Sequence, residues 1–269
     1  MILSKKRNYP KIGMILAAGF GTRMGEYTKN VPKPLLEINS HPLITYSLFL
    51  LYLWKIDYVV INLHYKKEKI KEALKNFPYF PIFYSEEETI LGTAGGIAYA
   101  IYQNLLKDYF LVINPDTIFF PKINPFNIIP TLKNLKINHF LFMKSKNKKN
   151  AKETSFVIEK EIKKNIYKFN LSKTDFSKSF FYSGLSIFHV DFFSYYKQNT
   201  ERQPKNNLTD IFKKELIEIL NPSEIYGRIY TGIRIDCGTK EDYERIKQKD
   251  LIRDIYKKRW ATFLKGWFG

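Results

Sequence analysis

The chain has 269 residues, 45% of them hydrophobic, enough to bury one sizeable core and to argue against a disordered polymer. Its formal net charge of +18, from 44 Lys and Arg against 26 Asp and Glu, brings nucleic acid, an anionic membrane and anionic small substrates into consideration. The cations are spread along the whole length, so solvated faces that draw in anionic nucleotides are expected, and nucleic acid is not. Cys237 is the only cysteine, which excludes an internal disulfide and fits a reducing compartment. The opening MILSKKRNYP carries no apolar run of signal-peptide length, and no stretch is apolar for long enough to span a bilayer; a soluble cytoplasmic enzyme is expected.

Ile12 to Ala17 is a short apolar run stopped by Gly19 and Gly21 and reads as a buried parallel strand. Pro42 to Trp54 has helical length, Tyr58 to Leu63 reads as a second buried strand, and Lys66 to Asn76 as an amphipathic helix. Ile82 to Tyr84 (strand), Thr93 to Leu105 (helix) and Tyr109 to Asn114 (strand) continue the alternation, which predicts right-handed crossovers and a mostly parallel sheet. Beyond it come strands at His139 to Met143, Phe156 to Ile158, Ile166 to Phe169 and Phe181 to Phe188, without full helices between them, so the sheet should become mixed. Lys144 to Lys152 reads as a solvated basic loop. A helix at Leu208 to Leu220 capped by Asn207, a short strand at Ile233 to Asp236 and a helix from Lys240 to about Lys249 complete the pattern.

The first strand runs into Gly19-Phe20-Gly21-Thr22-Arg23-Met24-Gly25. A dinucleotide fingerprint fails here, because Met24 fills its third glycine position, no acid ends the second strand, and Pro32 and Pro34 interrupt the required helix. No P-loop pattern is present. A bare turn would not account for Arg23 and a proline-stiffened Lys33 in the same loop; two cations beside exposed backbone N–H groups suit a triphosphate. Asp116 and Asp236 both end strands of this sheet and could therefore reach one site, though each alone could equally be a turn residue. Two carboxylates with phosphate oxygens and water suit Mg²⁺. His41, His64, His139 and His189 lack zinc-like spacing, and Cys237 reads as a small buried residue.

LAAGFGTRM followed by PKP resembles the signature of the sugar-1-phosphate nucleotidyltransferases, and the resemblance continues through VINLHY, LGTAGGI, NPD, YSGLSIF and IDCGT over roughly residues 12 to 248. The branch it resembles most is that of the short bacterial enzymes making UDP-N-acetylmuramate or GDP-mannose. The resemblance implies an α/β fold, a Rossmann-like mixed, mostly parallel sheet flanked by helices. It implies Mg²⁺-dependent transfer of a nucleoside monophosphate from an NTP to a phosphorylated small acceptor, with metal on Asp116 and Asp236 and chemistry at Arg23 and Lys33. Nucleotide binding is implied for Leu16, Ala17, Ala18, Gly19, Gly21, Thr22, Gly92, Thr93 and Asn114, and acceptor binding for Tyr182, Ser183 and Gly184. Two departures are visible: Pro115 stands where a small residue is usual, and Glu159-Lys160-Glu161 lacks the proline of a Glu-Lys-Pro motif, which weakens Lys160 as an acceptor ligand. A phosphocholine cytidylyltransferase of the same superfamily and a non-catalytic nucleotide-binding relative are the competing functions.

Residues 1–248 are expected to form the transferase domain and 249–269 a C-terminal basic amphipathic helix. Ile252, Ile255, Tyr256, Trp260, Phe263 and Trp267 make its apolar stripe, which suits packing on its own domain or at a homo-oligomer contact better than an anionic membrane surface.

Overall fold

The computed structural model describes residues 10–120, 122–145, 154–172, 179–194 and 224–268. Most of the basic loop expected after Met143, and the helix expected at 208–220 with its Asn207 cap, lie outside the described residues. In chain order the first half contains β1 (Ile12–Leu16), α1 (Tyr27–Asn30), β2 (Glu37–Ile38), β3 (His41–Pro42), α2 (Leu43–Leu53), β4 (Tyr58–Leu63), α3 (Lys67–Leu74), β5 (Ile82–Glu86), α4 (Gly92–Tyr102) and β6 (Tyr109–Ile113). Then follow β7 (Thr117–Phe120), α5 (Ile129–Leu135), β8 (His139–Ser145), β9 (Ser155–Lys163), β10 (Ile166–Ser172), β11 (Phe180–His189), β12 (Ile225–Ile229), β13 (Ile233–Asp236), α6 (Lys240–Ile246) and α7 (Asp254–Phe268).

Nine of the described strands build one sheet in the order β5-β4-β1-β6-β11-β8-β12-β10-β9, in which β9 also meets β11 at Phe156 and Phe180. The β5-β4-β1-β6 half is parallel throughout, and β11 then joins β6 antiparallel. The continuous apolar runs IGMIL and YFLVI follow from burial on both faces. One face packs against α2, α3, α5 and α7 through Phe49, Ile70, Leu132 and Phe263; the other packs against α4 through Ala94, Ile97 and Ala100. The mixed half agrees with the pattern change after Asn114, but β8 continues through Lys144 and Ser145, which the sequence pattern assigns to the loop. Four strands are findings of the structure: the short hairpin pair β2 and β3, and β7 and β12.

β7 positions the site. It leaves the main sheet directly after Asp116 and pairs antiparallel with β13, Thr117 opposite Asp236 and Phe119 opposite Arg234. The Cys237 N–H donates to the Asp116 carbonyl at 2.8 Å. This two-stranded ladder holds side by side two aspartates 120 positions apart.

Helix α7 is seated on the core. Trp260 stacks on Tyr46 with ring centroids 5.1 Å apart and meets Phe49 edge-on at 4.9 Å. Phe263 is fully buried and stacks on Tyr79, whose hydroxyl donates to the Phe263 carbonyl at 2.6 Å. The helix begins at Asp254, later than expected, with Ile252 buried ahead of it; Ile255 departs from the expected stripe and is 68% exposed, because helical spacing puts it off the row formed by Tyr256, Trp260, Phe263 and Trp267. No helix among the described residues is long and apolar enough to cross a membrane. Phe263→Ala should cost about 3–4 kcal/mol in urea unfolding, since the ring fills a site enclosed by Phe49, Tyr52, Phe77 and Tyr79.

On β8, His139 is buried beside Phe192 and Tyr226, and its Nε2 has no hydrogen-bond partner among the described residues. Burial pulls its pKa down to about 4, against a weaker upward pull from the Glu224 backbone. A histidine depressed in the folded state contributes stability above its unfolded pKa and loses it as pH falls towards the folded value. The wild type should therefore lose about 2 kcal/mol relative to His139→Phe between pH 6.5 and 5 in paired denaturation curves.

Candidate active site

The loop after β1 is fixed from within. Gly21 has φ +69, and a Cβ there would lie 2.8 Å from Thr28 Cγ2. The Thr28 hydroxyl is placed to donate to the carbonyls of Gly21 (3.1 Å) and Gly25 (3.2 Å). Met24, which breaks the dinucleotide pattern, is fully buried and anchors a 3-10 turn over Thr22–Met24. A second such turn, Lys33–Leu35, has Pro32 as its extended N-cap and Pro34 in its first positions, so the backbone of Lys33 is held. These loops and the C-terminal ends of the parallel strands enclose a cleft of about 350 Å³. Its lining includes Leu16, Ala17, Ala18, Gly19, Gly21, Thr22, Arg23, Lys33, Asn62, Gly92, Thr93, Asn114, Pro115 and Asp116. Every position singled out for nucleotide binding is thus brought to one concavity.

Its floor is charged. Lys33 Nζ donates to Asp116 Oδ2 at 2.6 Å and to the Gly238 carbonyl at 3.1 Å. Arg23 Nη2 stands 3.9 Å from the same carboxylate oxygen, its own side chain 70% exposed. Asp236 Oδ1 accepts from the Gly238 N–H at 2.8 Å, and Oδ2 accepts from Arg234 Nη2 at 2.8 Å. A carbon placed on Gly238 would lie 2.8 Å from Asp236 Oδ1, 3.6 Å from Asp116 Oδ2 and 3.7 Å from Arg23 Nη2. Arg23, Lys33, Asp116 and Asp236 therefore meet around one glycine, where any side chain would press on Asp236. Burial alone would raise the Asp116 carboxyl, but Lys33, Arg23 and Arg234 outweigh it and hold it below the usual carboxylate range. Burial, with Asp116 and Asp236 beside it, pushes the Cys237 thiol far up, so this cysteine is an inert packing residue. Among the described residues no three His, Cys, Asp or Glu side chains form a metal-binding group; the two aspartates are the carboxylates beside Gly238.

On the flank beyond Asp236, the Tyr182 hydroxyl and Ser186 Oγ share a 2.9 Å hydrogen bond. Ser183 is fully buried, its carbonyl accepts from Arg234 Nε at 2.8 Å, and its Oγ has no partner among the described residues. Gly184 accepts from the Asn114 N–H at 3.2 Å, which ties β11 to the end of β6. Lys160 is exposed on β9, opposite Lys168.

Motif reading passes over several groups. Asn62, at the end of β4, accepts from the Ala17 N–H at 2.8 Å and donates to Glu87 Oε1 at 2.7 Å. Glu87 Oε2 accepts from the Leu91 N–H at 2.9 Å. Burial raises the Glu87 carboxyl, opposed by those two donors and by His64. The chain of bonds ties the glycine loop to the turn preceding α4 beneath the cleft. Arg234 and Lys144 also go unnoticed, being two basic residues among 44.

The class of protein follows from this fold and from comparison with known sequences: the chain belongs to the nucleotidyl transferase family, whose model matches residues 12–252. It is similar to mannose-1-phosphate guanyltransferase of Schizosaccharomyces pombe, 37% identical over 110 residues that make 39% of this chain and 30% of that one. It is also similar to D-glycero-alpha-D-manno-heptose 1-phosphate guanylyltransferase of Campylobacter jejuni, 36% identical over 107 residues, 39% of this chain and 48% of that one. Each alignment thus spans less than half the length of the relative. Among solved structures, UDP-glucose pyrophosphorylase from Acinetobacter baumanii superposes with a TM-score of 0.70 over 95% of this chain and 100% of that one. At 14% identity that likeness is one of fold.

Proposed function

We propose that the protein transfers the nucleoside monophosphate of an NTP to the phosphate of a sugar 1-phosphate, releasing pyrophosphate and giving an NDP-sugar for polysaccharide or cell-envelope synthesis. The observation that carries this reading is the meeting of Arg23, Lys33, Asp116 and Asp236 around Gly238, the first three of them in the lining of a glycine-rich cleft. The names of the guanylyltransferase relatives support the acceptor class.

The donor set suits Mg²⁺: two hard carboxylates on either side of Gly238, one of them held ionised by its surroundings. Asp116 and Asp236 would hold the ion, which would supply positive charge against the phosphates. The chain's own groups do the rest. Backbone N–H groups from Ala18 to Thr22 cradle the triphosphate, and Gly92 and Thr93 bound the end of the cleft where the base lies. The acceptor phosphate, with a second pKa of about 6, is already largely deprotonated at neutral pH, so no general base is required. One of its oxygens attacks the α-phosphorus, the bond to the β-phosphate bridging oxygen breaks, and that oxygen leaves with the electron pair as pyrophosphate. Lys33 stabilises charge at the α-phosphate; the exposed Arg23 closes on the departing pyrophosphate. Positioning and charge neutralisation supply the catalysis.

The test is a matrix of each NTP with Mg²⁺ against sugar 1-phosphates, including mannose 1-phosphate, and phosphocholine, reading pyrophosphate release. Release with at least one sugar 1-phosphate supports the reading; release with phosphocholine alone, or with none, sinks it.

A further inference from the structure

We infer that Arg234, backed by Lys144, receives the phosphate of the acceptor and is the residue pair that selects an anionic acceptor, an assignment that rests on the proposed reaction. In-line displacement requires the incoming oxygen to approach the α-phosphorus opposite the leaving pyrophosphate. The glycine loop and Arg23 take the leaving side, so the acceptor enters across Asp236. That flank is where Arg234 lies. Its Nε is spent on the Ser183 carbonyl and its Nη2 on Asp236 Oδ2, both at 2.8 Å, and its guanidinium lies 5.2 Å over the Phe181 ring. These contacts fix the plane of the guanidinium with the side chain only 16% exposed, and among the described residues the Nη1 edge has no partner. A planar fork held in this way is suited to a phosphate oxygen pair.

Lys144 makes the flank a cationic site rather than one ion pair. Its Nζ donates to the Gly232 carbonyl at 3.0 Å and lies 5.6 Å from the Tyr230 ring centroid, and among the described residues no carboxylate pairs with it. Lys144 stands opposite Phe181 on the neighbouring strand, the residue whose ring Arg234 covers, and burial with the charge of Arg234 pulls the lysine's pKa down. The residue whose carbonyl holds Arg234, Ser183, is fully buried, and its Oγ has no partner among the described residues. Lys160, the lysine suggested by motif resemblance, is exposed on β9, opposite Lys168 of β10.

Steady-state kinetics on the full chain test this, using the sugar 1-phosphate that turns over. Arg234→Gln should raise the acceptor KM by about 10-fold or more with the NTP KM within about 3-fold, and Lys144→Gln should raise it by about 3-fold. Arg234→Lys should recover part of the loss, a rescue that a purely structural role would not give. Calorimetric binding of inorganic phosphate in the presence of a non-hydrolysable NTP gives a readout independent of turnover: it should be lost in Arg234→Gln. An acceptor KM and phosphate affinity that are unchanged in Arg234→Gln, or an NTP KM raised as much as the acceptor KM, overturns the assignment, as does a Lys160→Gln that raises the acceptor KM while Arg234→Gln does not. A wild type that binds phosphate through Arg234 but releases no pyrophosphate sinks the reaction and leaves the anion site standing.

Discussion

Asp116→Asn is expected to lower kcat by about 1000-fold at saturating NTP and acceptor, because it removes the carboxylate charge that would hold the metal against the phosphates. The same change should cost stability. Lys33 keeps only 11% of its side-chain surface and spends its charge on Asp116 at 2.6 Å, so the variant leaves a nearly buried ammonium facing a neutral amide. Breaking such a pair from one side costs about 3 kcal/mol, the low end of the usual range because Asp116 is still 20% exposed. Catalytic and structural effects can be separated. Lys33→Met combined with Asp116→Asn removes both charges and should recover most of the lost stability while turnover stays near background. Turnover within about 10-fold of wild type for Asp116→Asn would refute the metal role, whatever the melt shows.

That convergence was readable as chemistry before it was readable as geometry. Glycines straight after an apolar run, a cation in the loop and a lysine between prolines each leave a local mark, and the structure brings them to one cleft. The parallel half of the sheet was legible for the same reason: strands buried on both faces are written as unbroken apolar runs, and IGMIL, YVVINL and YFLVI stand out. β7 was not legible, because TIFF is short and follows Asn114-Pro115-Asp116 with no gap, so its residues merge with the turn. β12 carries Gly227, where a side chain would run into the Leu141 carbonyl, and a glycine inside so short a strand weakens its pattern. Glu87 was hidden by composition: it is the middle of Glu86-Glu87-Glu88, which looks like a solvated charge run, and only the tertiary fold buries that one acid under Leu91 and Asn62. Arg234 was masked in the same way by 43 other basic residues.

The buried relay under the cleft should matter nearly as much as the charges above it. Asn62→Ala deletes an acceptor for the Ala17 N–H and a donor to Glu87, both in buried positions, and supplies nothing in their place. Each orphaned group costs about 1–3 kcal/mol, so the variant should lose about 3 kcal/mol in denaturant unfolding. Asn62 also lines the cleft, and its bond to Ala17 fixes the residue from which the glycine loop departs. Loosening that point displaces the backbone N–H groups that would meet the triphosphate, so the NTP KM should rise by about 10- to 100-fold, with the acceptor KM changing less. Glu87→Gln provides the contrast. Both Glu87 oxygens accept from N–H groups, so a glutamine must turn its NH₂ towards a donor, and the loop should loosen although size is conserved. The raised carboxyl of Glu87 sets the sign of the pH effect: relative to the Gln variant, wild-type stability should be greatest below the ordinary glutamate pKa and decline as pH rises through the folded value. Paired urea curves at a series of pH values, with NTP binding followed in parallel, read both effects. An Asn62→Ala protein of wild-type stability and wild-type NTP KM would show that the relay merely fills space.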